Sequence, residues 1–520
     1  MQTEHPPSPT QSLLLAALPG ALVLLVWQGP GLLLNLLAVG AGTAAALSML
    51  PGDGPRSAAA RWQQVRGRHG AWIATLLLGI SLPPAVPVWV GAAGGVVAVL
   101  AASIPRSAGI ALNPAMLGYI VLLLAFPIAM SGWPIAGAAA TELGDSLRSA
   151  LGMLPADRLD ALSGATALGQ LRSDTARTVA ELRAGNPAFG AWGARGIEWA
   201  NAAFLAGGLW LAWRRVIAWR LPAATIGTIA VLALLGNDGG GSASRGPALF
   251  HLFSGGTMLG AFFVLTEPRG APRTPTGQWL GGALAGALVY AIRTSGAWPD
   301  GIAFAALAVN ALLPVLDGPQ PARPSSPEGY RRTAVHLGRA LVLLLVLSAI
   351  WREPTAPREP ELDPGAWLQS LETLEGAEIR AFRVQDPMRL GLGEADTAYR
   401  AIRAGRAIGL LLPVVAPQGY GGPIRLWLAL DASGKVLGVR VRAHRESAAF
   451  AGAPLSAGSA WLAAFEGRAL ENTRWQLRAE GGSFDAFTGA SITPRAVVAG
   501  LEGALQYFRE NREALLDPER

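Results

Sequence analysis

The amino-acid sequence predicts a mainly α-helical polytopic membrane protein, with about ten spans plus one anchor helix, that ends in an extracytoplasmic α+β domain. Three observations support this prediction. The 520 residues are 51% hydrophobic and only 15% charged, with a mean hydropathy of +0.35, which is too apolar for an ordinary soluble protein. Apolar runs of membrane-spanning length recur up to Trp351, and beyond it the pattern changes to strand-like and helical segments of mixed polarity.

Cysteine is absent from the sequence. Cysteine-ligated iron–sulfur clusters, thioether-linked haem, disulfides and cysteine–zinc sites are therefore excluded, so any redox chemistry needs another cofactor. The five histidines are dispersed without ligand spacing, and we predict neither a metal site nor a catalytic residue. The net charge of +7 comes from arginines scattered between apolar segments. This distribution favours contact with membrane lipid and predicts no nucleic-acid partner.

The predicted spans are apolar runs separated by short polar or arginine-bearing loops. A second span follows the first at once, so the first is expected to be a retained helix rather than a cleaved signal peptide. The runs cover about residues 12–27, 31–50, 71–82, 85–103, 110–130, 197–213, 221–235, 247–266, 277–292, 301–316 and, as the anchor helix, 336–352.

Arginine is concentrated in the loops after the even-numbered spans, with Arg245 and Arg293 as exceptions. Short arginine-bearing loops remain in the cytoplasm, so the N-terminus is predicted to be cytoplasmic. The long loop 131–196 and the region after the anchor helix are then both extracytoplasmic.

The composition also predicts the domain boundaries. Residues 1–320 form a membrane domain that contains the loop 131–196. Residues 321–335, rich in Pro, Ser and Arg, form a cytoplasmic linker to the anchor helix 336–352. Residues 353–520 form the extramembrane domain, so the chain resembles two proteins fused end to end.

The C-terminal domain is predicted to combine strands and helices. Two apolar strands, 424–430 and 436–441, flank the turn Asp431–Gly434, which indicates a hairpin. The last segment predicts a helix with Thr493 as its N-cap and Pro494 at its first position.

Two seven-residue segments of the chain are near copies of one another. Each contains an acid, two spacer residues, a hydroxyl residue, Gly-Ala and a second hydroxyl residue, and each lies in a predicted extracytoplasmic region. The defined positions are Asp160, Ser163, Gly164, Ala165 and Thr166 in the first motif, and Asp485, Thr488, Gly489, Ala490 and Ser491 in the second.

One such string alone is as well explained by a turn or a helix cap as by a functional site. Two copies with the same acid spacing favour function. A hydroxyl beside Gly and Ala is sterically open to a modifying enzyme. The helix predicted to start at Thr493 would direct its free amide groups toward an anion at Ser491.

The two motifs resemble the flavinylation sequence Asp-x-x-[Ser/Thr]-Gly-Ala-[Ser/Thr], in which a flavin transferase joins FMN through its phosphate to the last hydroxyl. By position, the resemblance implies covalent FMN at Thr166 and Ser491. Ser491 stands where the family usually has threonine, but it offers the same nucleophilic oxygen.

Further segments extend the resemblance to a family of membrane proteins. Residues 254–263, 266–268 and 298–304 are similar to RnfD of the Rnf electron-transport complex and to the related NqrB of sodium-translocating NADH:quinone reductase. This resemblance covers about the first 320 residues.

The C-terminal part resembles RnfG of the same complex, an FMN-binding domain of the RnfG/NqrC type on one membrane anchor. The matching residues are Gly419–Ile424, His444–Glu446, Trp461 and the region 488–496. Ser-Ala-Ala follows Glu446 where the family usually has Thr-Pro-Gly, so the flavin pocket is expected to differ there.

The resemblance implies an RnfD–RnfG fusion in a bacterial inner membrane that relays electrons through two covalent FMN groups between ferredoxin and NAD, coupled to ion movement. It implies other Rnf-type subunits as partners and a flavin transferase for maturation. Whether riboflavin also binds is left open. The chain shows no nucleotide-binding fingerprint, so turnover on its own is not expected, and its status as an enzyme is left undecided.

Two other classes of protein fit the same sequence pattern. The first is a secondary transporter with an appended solute-binding domain, which predicts no flavin. The second is a flavin-bearing membrane reductase or regulator outside the Rnf complex.

Asp300 and Asp317 are candidates for an ion path, because charges within a membrane are costly. Gly255, Gly256 and Gly260 are expected to allow close helix packing.

Overall fold

The computed structural model describes residues 8–49, 69–103, 111–134, 141–154, 162–173, 179–237, 246–296, 298–318, 363–420, 422–444, 446, 453–487 and 491–517. The chain divides into two compact units. The membrane unit comprises Met1–Leu154 and Thr166–Arg352, and the C-terminal unit comprises Pro155–Ala165 and Glu353–Arg520. The predicted linker 321–335 and anchor helix 336–352 lie outside the described residues.

The described part of the membrane unit is built from helices. These are α1 (Pro9–Gln28), α2 (Gly31–Met49), α3 (His69–Ser81), α4 (Val88–Ser103), α5 (Pro114–Ala125), α6 (Pro127–Ser131), α7 (Leu143–Ala150), α8 (Ala167–Ser173), α9 (Val179–Gly185), α10 (Ile197–Trp213), α11 (Arg220–Leu235), α12 (Ala248–Leu252), α13 (Thr257–Leu259), a π-helix (Gly260–Val264), α14 (Pro275–Ser295) and α15 (Ile302–Leu316).

The first helices show why these segments fold as they do. Ser8 and Gln11 form a capping box that starts α1, whose residues are apolar all round. Leu15, Leu22 and Leu37 are more than half exposed, as expected for side chains that face lipid. Of the described helices, α1 and α2 meet both the length and the hydropathy required of a span. Several further apolar helices are shorter, so the number of spans stays a prediction.

The packing order of the membrane unit repeats along the chain. In the first half α2 packs on α4 and α4 on α5, and in the second half α11 packs on α14 and α14 on α15. The first helices of the two halves, α1 and α10, pack on each other, and so do the last, α5 and α15. Among the described helices the two halves therefore share one packing order, and internal repeats of this kind are common in membrane transport proteins.

Close approach of α2 and α4 depends on small residues. A β-carbon at Gly42 would lie 1.9 Å from the carbonyl oxygen of Ala92. Glycine lets the two backbones come into contact, as in many membrane helix pairs.

The predicted span 247–266 is interrupted, whereas the sequence suggested one continuous run. It consists of α12, a turn at Gly255 with a φ of +57°, α13 and the π-helix. A side-chain atom of Ile302 would lie 2.4 Å from a β-carbon at Gly260, which agrees with the expected role of this glycine in close packing. A buried arginine on α14 binds carbonyls that the break leaves without helical partners, as described below.

The C-terminal unit is an antiparallel sheet covered on both faces. Its strands follow the order β1-β2-β3-β4-β5. A long helix packs on one face, and a short helix that carries Trp367 and Leu368 packs on the other. Its elements are α16 (Pro364–Gln369), β1 (Glu378–Arg383), β2 (Thr397–Arg403), β3 (Arg406–Ala416), β4 (Ile424–Asp431), β5 (Val436–Ala443), α17 (Ala453–Leu455), α18 (Ala460–Ala463), α19 (Ile492–Glu510) and α20 (Arg512–Leu516).

The predicted hairpin is confirmed, because β4 and β5 pair antiparallel on either side of the Asp431–Gly434 turn.

The predicted N-cap of the last long helix is wrong. Helix α19 begins at Ile492, with Ser491 in the N-cap position. Thr493 lies inside the first turn, and its hydroxyl bonds to a buried carboxylate instead of capping the helix. Pro494 is tolerated there because the first-turn amides have no intrahelical partner.

The close contact between α2 and α4 predicts an effect on stability. Gly42→Val would press a branched side chain onto the Ala92 carbonyl, and we expect a loss of about 1–3 kcal/mol, as for overpacked cores. The matched control is Gly227→Val on α11, where a β-carbon meets nothing within 4 Å. Thermal unfolding in detergent should show a lower melting temperature for Gly42→Val than for Gly227→Val. Equal melting temperatures would contradict the prediction.

Candidate functional site

The first motif ends at the start of a helix. Thr166 immediately precedes α8, and its Oγ1 accepts a hydrogen bond of 3.2 Å from the Gly169 N–H. Its carbonyl accepts the Gln170 N–H at 2.9 Å, so Thr166 caps this helix. Of the other motif residues, Ser163, Gly164 and Ala165 are described, and Asp160 lies outside the described residues.

Helix α8 is held in place by a small apolar core and by an arginine. Leu168 and Leu171 pack with Phe189 and Phe250. The guanidinium of Arg172 is buried and donates to two carbonyls in the turn between α14 and α15, at 2.7 and 3.0 Å. Thr166 is therefore attached to a rigid part of the membrane unit.

A second buried arginine holds the interrupted helix. Arg293 near the end of α14 is 2% exposed and donates to the carbonyl of His251 at 2.7 Å, to that of Ser254 at 3.3 Å and to the hydroxyl of Thr257 at 2.9 Å. The carboxylate of Asp300 accepts from Arg293 at 2.9 Å and from the Gly256 N–H at 2.7 Å. These bonds satisfy polar groups that the break in the helix would leave unpaired.

A buried carboxylate holds the loop before α10. Glu198 is 4% exposed and accepts hydrogen bonds from three consecutive N–H groups, those of Ala191, Trp192 and Gly193, at 3.2, 2.9 and 2.9 Å. Successive N–H groups of this kind form an anion-binding concavity. In this loop the carboxylate of Glu198 occupies that concavity.

The first residue of the second motif, Asp485, is bonded to a tryptophan in a cluster of aromatic side chains. The Trp461 indole N–H donates to the Asp485 carbonyl at 2.8 Å, and its ring meets that of Phe487 edge-on with 4.7 Å between centroids. The Asp485 carboxylate forms an ion pair of 3.1 Å with Arg478. Thr488, Gly489 and Ala490 lie outside the described residues.

Ser491 resembles Thr166 in its position, because each hydroxyl residue directly precedes a helix. Ser491 is 6% exposed. Within the C-terminal unit, which includes the segment 155–165, its Oγ accepts a hydrogen bond of 3.0 Å from the Ala165 N–H. Residues of both motifs therefore contribute to the surroundings of this hydroxyl.

The groups around Ser491 suit a phosphate ester. The N-terminus of the 19-residue helix α19 carries a partial positive charge, and helix N-termini bind phosphate groups. Arg495, one turn further along, adds a cation whose guanidinium bonds to Glu480. Glu480 already pairs with this cation, so the charge that favours a phosphate at this end of α19 comes from the helix N-terminus. The residues at this end of α19 thus fit a phosphate joined to Ser491.

The two aspartates considered for an ion path have structural partners. Asp300 is bonded to Arg293 and Gly256, as described above. Asp317 accepts from the Arg273 and Thr274 N–H groups at 2.9 Å and so connects the end of α15 to the start of α14.

Comparison with known families agrees with this architecture. The sequence model of the NQR2, RnfD, RnfE family matches residues 8–324, and that of the FMN-binding domain matches residues 419–506. The fold and these matches define a helical membrane protein joined to an FMN-binding domain. The chain belongs to the NQR2, RnfD, RnfE family, which confirms the resemblance found in the sequence.

Curated relatives match the membrane unit. The D subunit of the ion-translocating oxidoreductase complex of Pseudomonas aeruginosa UCBPP-PA14 is 42% identical over 316 residues, which cover 58% of this chain and 86% of the relative. Proteins of the same name from Cellvibrio japonicus and Shigella sonnei are both 36% identical, and the matches cover 58% of this chain and 86% and 90% of those relatives.

The sequence alone did not assign structural roles to the buried Arg172, Arg293 and Glu198. A signal was present, because Arg293 and Glu198 are single charges inside or beside otherwise apolar runs. Such charges are costly in a membrane protein unless they are paired. Their partners are mostly backbone groups, which a sequence does not display.

The hydrogen bond between the two motif segments can be tested by cross-linking. The chain has no native cysteine, so Ala165→Cys combined with Ser491→Cys introduces the only thiols. We expect mild oxidation of the full chain in membranes to form an intramolecular disulfide, which is measured as protection of both thiols from a maleimide-polyethylene glycol gel shift.

The matched control pairs Ala165→Cys with Ser433→Cys. Ser433 lies in the hairpin turn next to Gly434, which packs on Phe508 near the other end of α19. That end is about 24 Å from Ile492 at 1.5 Å per residue, too far for a disulfide. Equal protection in both pairs, or none in the first, would contradict the contact.

Proposed function

We propose that this chain is a membrane subunit of an ion-translocating Rnf-type electron-transport complex. It relays electrons between ferredoxin and NAD through two covalently bound FMN groups, one on Thr166 and one on Ser491. The observation that supports this most strongly is the presence in one chain of an RnfD-type membrane unit and an FMN-binding domain. The relatives' name, which describes part of an ion-translocating oxidoreductase complex, is consistent with it.

The chain's own residues hold and orient the cofactors. When bound, FMN supplies the electron-transfer chemistry, and the protein determines its position and electrostatic surroundings. Thr166 is fixed by α8, which Arg172 joins to the turn between α14 and α15. Ser491 is fixed at the start of α19, where the helix dipole favours a phosphate.

The orientation that we propose has the N-terminus in the cytoplasm of a bacterial cell with both motifs on the other side of the inner membrane. The arginine-bearing loops after the even-numbered spans support this orientation, and exposed tryptophans at helical ends mark the two interfaces without distinguishing them. In this topology the exposed tryptophans of the helical ends fall into two groups. Trp27, Trp89 and Trp199 belong to the extracytoplasmic level, and Trp213, Trp219 and Trp279 to the cytoplasmic level.

The proposal requires partners. The chain has no cysteine to ligate an iron–sulfur cluster, so other subunits deliver and remove the electrons. During maturation a flavin transferase takes FMN from a flavin dinucleotide: the hydroxyl oxygen forms a bond to the FMN phosphorus, the pyrophosphate bond breaks, the other nucleotide leaves as its monophosphate, and the hydroxyl proton passes to solvent.

Denaturing gels viewed under ultraviolet light test the attachment. The protein is coexpressed with a flavin transferase as wild type, Thr166→Ala, Ser491→Ala and the double variant. We expect each single variant to lose about half of the flavin fluorescence and the double variant to lose all of it, because a covalent phosphoester survives denaturation. Ser491→Thr should retain the full signal, since threonine offers the same oxygen.

The control is Ser433→Ala, which removes an exposed hydroxyl in the hairpin turn and should leave the fluorescence unchanged. An unlabelled wild-type band beside an active transferase would refute covalent attachment.

A further inference from the structure

A buried carboxylate lies at the start of the helix that carries Ser491. Glu446 follows β5 and is 4% exposed, and Thr493 in the first turn of α19 is fully buried. The Thr493 hydroxyl donates a hydrogen bond of 2.5 Å to Glu446 Oε2. This bond joins two segments that are 47 residues apart in the sequence.

The other side of the carboxylate faces a turn after β3. A β-carbon at Gly419 would lie 2.6 Å from Glu446 Oε1, so the carboxylate is in contact with the backbone there. The Glu446 N–H donates to His444 Nδ1 at 3.1 Å. Glu446 is thus held between the Gly419 turn and the first turn of α19.

Burial of this carboxylate indicates a role that an apolar residue could not serve. A buried carboxylate costs free energy unless hydrogen bonds and favourable charges surround it. The positive end of α19 and the Thr493 hydroxyl provide both, and hydrogen bonds to charged groups are stronger than neutral ones. The arrangement fixes the first helical turn and puts a negative charge beside it. Ser491 is two residues from Thr493.

We propose that Glu446 is a positioning residue for the FMN attached to Ser491. Through Thr493 it holds the first turn of α19, so that the Ser491 hydroxyl is presented to the transferase in one orientation. Its negative charge disfavours addition of an electron nearby and lowers the midpoint potential of that flavin. This inference rests on the proposed attachment of FMN to Ser491.

Two substitutions separate the charge of Glu446 from its hydrogen bond. Glu446→Gln keeps an oxygen that accepts from Thr493 but removes the charge. Thr493→Val keeps the shape but removes the donor, and Thr493→Ser restores it. All variants are made in the full chain with Thr166→Ala, so that only the flavin on Ser491 is observed, and circular dichroism verifies that each variant folds.

We expect Glu446→Gln to label with flavin like its parent and to shift the midpoint potential of the bound flavin upward in a spectroscopic redox titration. Thr493→Val should lower the labelled fraction several-fold, and Thr493→Ser should restore it. The matched control is Glu510→Gln at the far end of α19, about 27 Å away at 1.5 Å per residue, which should leave both readouts unchanged.

Different results would refute the attachment of FMN to Ser491 and the positioning role of Glu446. If the parent with Thr166→Ala carries no flavin, the attachment to Ser491 is refuted and the role of Glu446 with it. If the parent is labelled but Glu446→Gln has the parent's potential, or Thr493→Val labels as fully as the parent, the role of Glu446 is refuted and the attachment stands.

Discussion

The guanidinium of Arg293 connects the parts of the membrane unit that surround the first motif. Within the apolar interior it binds two carbonyls and a hydroxyl at the break between α12 and α13, and it pairs with Asp300 at the start of α15. A buried cation of this kind is stable only when its partners are all in place. The interruption of the helix, the turn after α14 and the anchoring of α8 by Arg172 on that turn therefore form one interdependent arrangement.

Much of this architecture follows from local patterns in the sequence. Apolar runs located the long helices of the membrane unit to within a few residues, because burial in lipid imposes hydrophobicity along a whole helix. The short helices α7, α8 and α9 lie in the predicted loop 131–196 and were not predicted. The hairpin at Asp431–Gly434 was equally clear, since its turn residues and flanking strands are neighbours in the chain. The two motifs were visible because one is a near copy of the other.

Other features depend on contacts between distant residues and could not be predicted. The run 247–266 is apolar throughout, so its interruption becomes apparent only when Arg293 is placed beside it. The start of α19 was misassigned to Thr493 because a threonine followed by proline is a good capping signal. That signal is overridden by Glu446, which lies 47 residues earlier and accepts the hydroxyl's hydrogen bond.

The low exposure of Ser491 has a consequence for the timing of the modification that we propose there. A transferase must reach the hydroxyl oxygen, yet in the folded unit this oxygen is covered and bonded to the Ala165 N–H. The proposed modification therefore requires a locally opened conformer, and its rate is expected to scale with the population of that conformer. On this proposal newly made chains are modified faster than folded ones, and folded chains are labelled only as quickly as the unit reopens.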